Sequence, residues 1–360
     1  MKIAVDARLL ENPAGVGNYL KNILIYLLKA DSKNRYHLLF NRDIPEYFKE
    51  PNVSYHKLHS PLIKTWSGLC RFFCNEKGIN LYFTPVLSFP GTGSLRVINT
   101  LHDFVWKIIP GTPILTKIHN TLWIKRSMKK DNLIMVLVSL HLKELLQKYF
   151  PGFPESKLII LPHSVPQFSE VKINASDFLI KHGIVKKFFL SVGTTFPRKN
   201  QKNIIRAFIS SELSNSMQLV IAGQLTNEGR KIKKQFSEQV RDKKVIFTEY
   251  LNEDLLRILY ENTEAVIYPS LCEGFGLPIL EANYFRKPVI TSNFEPFTWV
   301  AGESGIFVNP GDPGEIKEKM LMLARSPESF KDRVQSGVEN LSRFSWENNI
   351  NLLLQIINRS

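Results

Sequence analysis

The stretch from Ala265 to Ala282 limits the possible fold more than any other part of this chain. Ala265, Val266, Ile267 and Tyr268 read as a strand buried on both faces; a loop bearing Gly274 and Gly276 follows, and then Pro278. Proline suits the first position of a helix, where its missing N–H would find no partner in any residue, so Pro278 marks a helix start. Strand, glycine loop and helix in that order are a repeating piece of a doubly wound parallel sheet, which binds ligands beyond the carboxyl ends of its strands. Glycines let the backbone approach a ligand, and free amides at a helix start attract anions, phosphates above all. A phosphate-bearing ligand is expected here.

Two carboxylates lie in this stretch, Glu273 in the loop and Glu281 in the helix. Their spacing means little alone, because Glu253/Glu261, Glu295/Glu303 and Glu339/Glu347 repeat it. Only Glu273/Glu281 has the strand, the glycines and Pro278 around it.

The same alternation runs through the chain. Apolar runs starting at Lys2, Tyr36, Ile79, Arg96, Leu133 and Leu158 read as strands, and a second series starts at Phe188, Gln218, Val245, Ala265, Pro288 and Gly305. Helical or turn-rich segments separate them, which predicts an α/β class with mostly parallel, doubly covered sheets. The 360 residues exceed the usual single core. The two prolines of Pro162–Ser169 mark a linker, giving a first domain over 1–165 and a second from 166 onward.

Polar residues collect where these strands end. Gly15 and Gly17 follow the first strand, where they either contact a sugar or phosphate or simply make a tight turn. His102 and Asp103 end the strand from Arg96. The segment Gly193, Thr194, Thr195, Phe196, Pro197, Arg198, Lys199 ends the strand from Phe188. Arg198 can grip phosphate oxygens in a bidentate fork and Lys199 adds a mobile point charge, so the two together suit a diphosphate.

The net charge of +14 sits mainly in the first half: residues 1–166 carry +11 and residues 167–360 carry +3. Anionic partners are therefore expected. The densest basic cluster is a helix from Leu115 to Lys130 with Trp123, Lys125, Arg126, Lys129 and Lys130; with Trp106 nearby it predicts either an anionic membrane surface contact or a solvated helix face. No nucleic-acid module or aromatic stacking platform accompanies the charge, so nucleic acid is not the expected partner. Cys70, Cys74 and Cys272 form no CxxC pair and predict buried thiols and no metal site. No apolar run reaches eighteen residues and charges interrupt the start early, which points to the cytoplasm.

Taken together, Gly15–Tyr19, Thr100–Asp103, Val192–Asn200, Tyr268–Ala282 and Phe344–Glu347 resemble the motifs of the retaining glycosyltransferase family 4, over nearly the whole chain. The resemblance implies a GT-B fold, two Rossmann-like doubly wound domains facing across a cleft. The first would hold a glycan or lipid-linked acceptor, the second (166–343) a nucleotide diphosphate sugar, and residues 344–360 would return to the first. By the same resemblance, Glu281 would accept from the ribose hydroxyls and Glu273 would contact the donor sugar. Gly274, Phe275, Gly276 and Leu277 would line the sugar–phosphate region with Gly193 and Thr194, Arg198 and Lys199 would hold the diphosphate, and His102 would contact the sugar near the reacting carbon. No cofactor or metal is implied. Thr194 departs from the pattern, since many members carry arginine there, and Pro162-His163 and Thr298-Trp299 depart as well, which leaves the donor open. The glycine and Arg-Lys-Asn segment resembles mannosyltransferases most, so GDP-mannose is the first donor to test, for a role in surface polysaccharide synthesis at the inner face of the cell membrane. Two other readings stay open: a nucleotide-sugar epimerase on the same scaffold, and a non-enzymatic basic protein that binds nucleotides or nucleic acid.

Overall fold

The computed structural model describes residues 1–10, 15–42, 47–60, 62–63, 65–90, 93–166, 168 and 173–359. Part of the loop after the first strand (11–14) and part of the linker (167 and 169–172) lie outside the described residues. The chain divides into two compact units, Met1–His163 with Ser345–Ser360, and Ser164–Phe344.

Among the described residues the first unit holds seven strands: β1 (Lys2–Asp6), β2 (Arg35–Phe40), β3 (Val53–Lys57), β4 (Leu81–Thr84), β5 (Arg96–Leu101), β6 (Leu133–Leu137) and β7 (Leu158–Ile160). They pair in the order β3-β2-β1-β4-β5-β6-β7, every pairing parallel. Parallel neighbours need crossover helices, and these cover both faces. Central strands are accordingly mostly apolar, as in β4 (Leu81, Tyr82, Phe83) and β6 (Leu133, Met135, Val136, Leu137), with buried polar residues such as Asp6, Thr84, Asn99 and Thr100 toward their carboxyl ends. Sequence reading passed over β3, whose residues Val53, Ser54, Tyr55, His56 and Lys57 are mostly polar and none buried, because β3 is an edge strand with one paired side.

The helix Trp346–Asn358 belongs to this unit and packs on the helix Gly15–Ala30. Trp346 stacks on Tyr26 with ring centroids 6.0 Å apart. Arg96 donates to the carbonyls of Ile357 (3.0 Å) and Ile356 (2.7 Å), groups that a helix end leaves without intrahelical partners.

The second unit holds β8 (Phe188–Val192), β9 (Gln218–Ala222), β10 (Val245–Glu249), β11 (Ala265–Tyr268), β12 (Val289–Ser292) and β13 (Gly305–Val308), in the order β10-β9-β8-β11-β12-β13 and again all parallel. Its core runs from Phe189, Leu219 and Ile267 through Ile205 and Phe208 to Ile316 and Met320. In each unit the direction of winding reverses once, between β1 and β4 in the first and between β8 and β11 in the second. Such a reversal opens a crevice at the carboxyl ends of the two strands; the segment from Gly193 to Lys199 follows β8 and Glu273 follows β11, while His102 and Asp103 follow β5, the neighbour of β4.

Candidate active site

In the second unit the site is built on the ends of β8 and β11. Gly193, just after β8, has φ +136°, and a Cβ there would come 3.1 Å from Cε of Lys199; the missing side chain makes room for the lysine. A 3-10 turn, Pro197–Lys199, then presents the two cations. Asn200 fixes the turn by donating to the carbonyls of Pro269 (2.9 Å) and Pro310 (2.7 Å), and the Leu271 amide donates to the Arg198 carbonyl (2.7 Å). The two strand-end loops are thus tied together, and residues some seventy positions apart in sequence meet.

There Arg198 and Lys199 both close on Glu273. Arg198 pairs with Glu273 Oε2, and Lys199 Nζ lies 2.7 Å from Oε1. Lys199 also donates to the Tyr268 hydroxyl (2.9 Å). Burial alone would raise the Glu273 carboxyl, but Lys199 and Arg198 overcome it and hold the group below the ordinary carboxylate range. Burial likewise lowers the Lys199 ammonium, against the pull of Glu273. Two cations and one anion leave this clasp with net positive charge.

The following helix spans Leu277–Tyr284, with Pro278 in its first two positions, and it starts at Gly276 (φ +125°) without a side-chain cap. No side chain competes with an anion at this start, although Pro278 has no amide hydrogen and the Ile279 amide already donates to the Gly276 carbonyl (3.0 Å). Phe275 is buried and meets Trp299 and Phe344 edge-on, so it serves the core while its backbone runs along the loop. Thr194 is half-buried beside Gly193. Glu281 is buried on this helix and accepts from the Tyr260 hydroxyl at 2.5 Å. Burial raises its carboxyl to about 7, with Glu253 adding to the rise and the Tyr260 bond and Lys199 opposing it.

In the first unit His102 lies beyond β5 and is half-buried. Burial lowers it to about 4, against a hydrogen bond to the Pro85 carbonyl, so the ring is neutral at ordinary pH. Its Nε2 is buried and has no partner among the described residues. The Pro85 bond therefore occupies Nδ1–H and leaves Nε2 as an acceptor. Tyr19 meets His102 edge-on at 4.8 Å, and His163 completes the ring cluster at 5.7 Å from His102. Sequence reading missed Tyr19, His163 and Tyr260; a tyrosine on an apolar helix face reads as core, although its hydroxyl needs a partner when buried.

Gly15 and Gly17 stand in the first turn of the helix Gly15–Ala30 and not in a loop before it, and neither has positive φ. The basic helix spans Ile114–Lys129. Lys125, Arg126 and Lys129 are exposed, and Lys130 reaches the Gly93 carbonyl (3.2 Å). The expected aromatic anchors are placed otherwise: Trp106 is buried against Phe104, and Trp123 sits edge-on to Phe89 with its N–H donated to His119 (2.8 Å). The exposed apolar residues of this helix are instead Ile114, Leu115, Ile118 and Leu122. All three cysteines are buried and outside any disulfide. Among the described residues no group of three or more His, Cys, Asp or Glu is placed to hold a metal, and no helix is long and apolar enough to cross a membrane.

Residues 178–339 match the family described as Glycosyl transferases group 1. The O-antigen chain mannosyltransferase RfbU of Salmonella typhimurium is 28% identical over 252 residues, 69% of this chain and 65% of that protein. The chain spans less than two thirds of the length of the curated relatives it matches. Among solved structures, a sucrose-phosphate synthase from Thermosynechococcus elongatus is similar with a TM-score of 0.79 and 16% identity, over 99% of this chain and 98% of that one. The Anabaena protein HepE, solved with UDP and glucose, gives a TM-score of 0.78 and 13% identity over 100% and 99%. At these identities the structural likeness concerns the fold. The chain is built of two Rossmann-like units of the GT-B kind, and its second unit carries a group 1 glycosyltransferase domain.

Proposed function

We propose that the chain is a retaining, metal-independent glycosyltransferase of family 4. It moves a hexose, mannose before others, from a nucleotide diphosphate sugar to a glycan or lipid-linked acceptor of a surface polysaccharide. The observation that carries this reading is the Arg198–Lys199–Glu273 clasp beside an uncapped helix start, inside the stretch that matches the glycosyltransferase family. Breaking a sugar–phosphate bond leaves negative charge on the departing diphosphate. Arg198, Lys199 and the amides of Gly274–Leu277 are preorganised to receive it without solvent rearrangement.

As the diphosphate takes over the two cations, Glu273 is released toward the hydroxyls of the donor sugar. Glu281 receives the ribose. His102 offers an unprotonated Nε2 to a sugar hydroxyl. The leaving phosphate oxygen takes the acceptor's proton as the new bond forms on the face that the diphosphate leaves, which retains the anomeric configuration. Mannose and GDP-mannose rest on the name of the Salmonella relative; the UDP in the HepE structure keeps uridine donors in the test.

The acceptor reading draws on a separate surface. Ile114, Ile118 and Leu122 recur every fourth residue on the helix Ile114–Lys129, with Leu115 beside them, and 48–76% of each is exposed. Lys125, Arg126 and Lys129 extend the same face. An apolar ridge continued by cations suits an anionic bilayer, with the ridge in the acyl boundary and the cations among headgroups.

The test is turnover of GDP-mannose and of UDP-hexoses with a lipid extract as acceptor source, in EDTA. Release of nucleoside diphosphate with an α-linked product from an α-donor is expected. An epimerised nucleotide sugar formed without acceptor would move the assignment to the epimerase. Salt-sensitive nucleic-acid binding with no turnover of any nucleotide sugar would end the enzymatic reading.

A further inference from the structure

Glu281, the proposed ribose ligand, is held by a group that the reaction scheme leaves idle. Tyr260 lies on the helix Glu253–Asn262 and is completely buried. Its ring stacks on Phe285 with centroids 5.2 Å apart and planes 10° from parallel, which fixes the direction of its hydroxyl. That hydroxyl donates to Glu281 Oε2 at 2.5 Å. The other groups facing Glu281 are Glu253, from the same helix as Tyr260, and Lys199, from the turn after β8.

We propose that Tyr260 is a positioning residue for the donor ribose: by occupying Oε2 of Glu281 it holds the carboxylate in one orientation and leaves Oε1 for the ribose hydroxyls. This rests on the ribose role given to Glu281 above. A protonated carboxyl is a poorer acceptor, and burial has brought this one to about 7. Nucleotide affinity therefore rises with pH through that region. Tyr260→Phe keeps the ring and the stack but removes the hydroxyl. The Tyr260 bond favours the charged carboxylate, so its loss raises the carboxyl, by about one pH unit for a bond of ordinary strength to a charged group. One unit cuts the ionised fraction about fivefold at pH 7 and by only about a tenth at pH 9.

The experiment is calorimetric titration of the full chain with GDP and with UDP from pH 6 to 9, for the wild type, Tyr260→Phe and Glu281→Gln. Dividing by the Glu281→Gln curve removes the nucleotide's own phosphate ionisation. The expected result is a wild-type titration near neutrality that Tyr260→Phe displaces to higher pH, with roughly fivefold weaker binding at pH 7 that recovers by pH 9. Phe285→Leu, which frees the ring without deleting the hydroxyl, is the milder second variant and should shift the curve the same way. A Tyr260→Phe curve that overlays the wild type, or falls equally at every pH, overturns the inference. If Glu281→Gln binds as the wild type does, or neither nucleotide binds the wild type, the donor-site reading itself fails.

Discussion

Glu273→Gln removes the carboxylate that both Arg198 and Lys199 contact while keeping nearly the same volume. The three side chains are only 11–20% exposed, so solvent does little to screen the charge left behind. Removing one partner of a buried ion pair typically costs about 3–5 kcal/mol, and glutamine, which still accepts hydrogen bonds, places the variant near the lower end. For a unit of this size each kcal/mol lowers Tm by about 2–4 °C, so the second unit should melt roughly 6–12 °C earlier. A nucleoside diphosphate supplies the missing negative charge. In the wild type it must first displace Glu273 from the cations, whereas in the variant they are already uncompensated, so the nucleotide should raise Tm more in the variant than in the wild type. Scanning calorimetry with and without 1 mM-scale GDP or UDP, on the order of many times a micromolar Kd, reads both effects. An unchanged Tm without nucleotide, or a smaller nucleotide-induced rise in the variant, would refute the clasp argument. The sign with pH follows from Glu273 being held below its ordinary value of 4.5. The unfolded chain binds the proton first, so the clasp contributes fully above that value and its contribution fades as pH falls through the lowered one. The glutamine variant should lack that acid-side loss.

Ile118→Ser with Leu122→Ser should weaken sedimentation with vesicles containing anionic phosphatidylglycerol several-fold while leaving nucleoside diphosphate binding unchanged; equal sedimentation would dismiss the ridge as a membrane contact. Gly223→Ala should cost several kcal/mol by chemical denaturation, because Gly223 has φ +149° and a Cβ there would lie 2.3 Å from the Gly193 carbonyl oxygen. A stable Gly223→Ala chain would mean that the ends of β8 and β9 are less tightly fixed than the bonds from the Gly193 amide to the Ala222 carbonyl (2.8 Å) and from the Thr195 amide to the Gln224 carbonyl (3.0 Å) indicate.

How much of this was legible beforehand depended on burial. Strands such as β9 and β11 are enclosed on both faces, so their apolar runs announced them, whereas β3 at the sheet edge carries Ser54, His56 and Lys57 and gave no such run. Arg198, Lys199 and Glu273 could each be placed at a strand end from sequence, because a parallel sheet puts its loops there. Their mutual contact could not, since it depends on the pairing of β8 with β11 and on Asn200 reaching Pro269. The basic helix was legible as a charge cluster, yet which of its apolar residues face outward was not. Trp106 and Trp123 looked like interfacial anchors, but the packing with Phe104 and Phe89 claims them. Tyr260 carried the weakest signal, a single hydroxyl on an otherwise apolar helix face.

The helix Trp346–Asn358 seats on the helix Gly15–Ala30 and is tied to Arg96, yet it is encoded after the whole of the second unit. On a ribosome adding about 5–20 residues per second, the apolar seat formed by Tyr19, Ile23 and their neighbours waits roughly ten to forty seconds for its cover. The second unit, which is continuous in sequence, is synthesised entirely within that interval. The first unit, begun earlier, is completed later, so during synthesis it is the longer-lived target for chaperones and proteases.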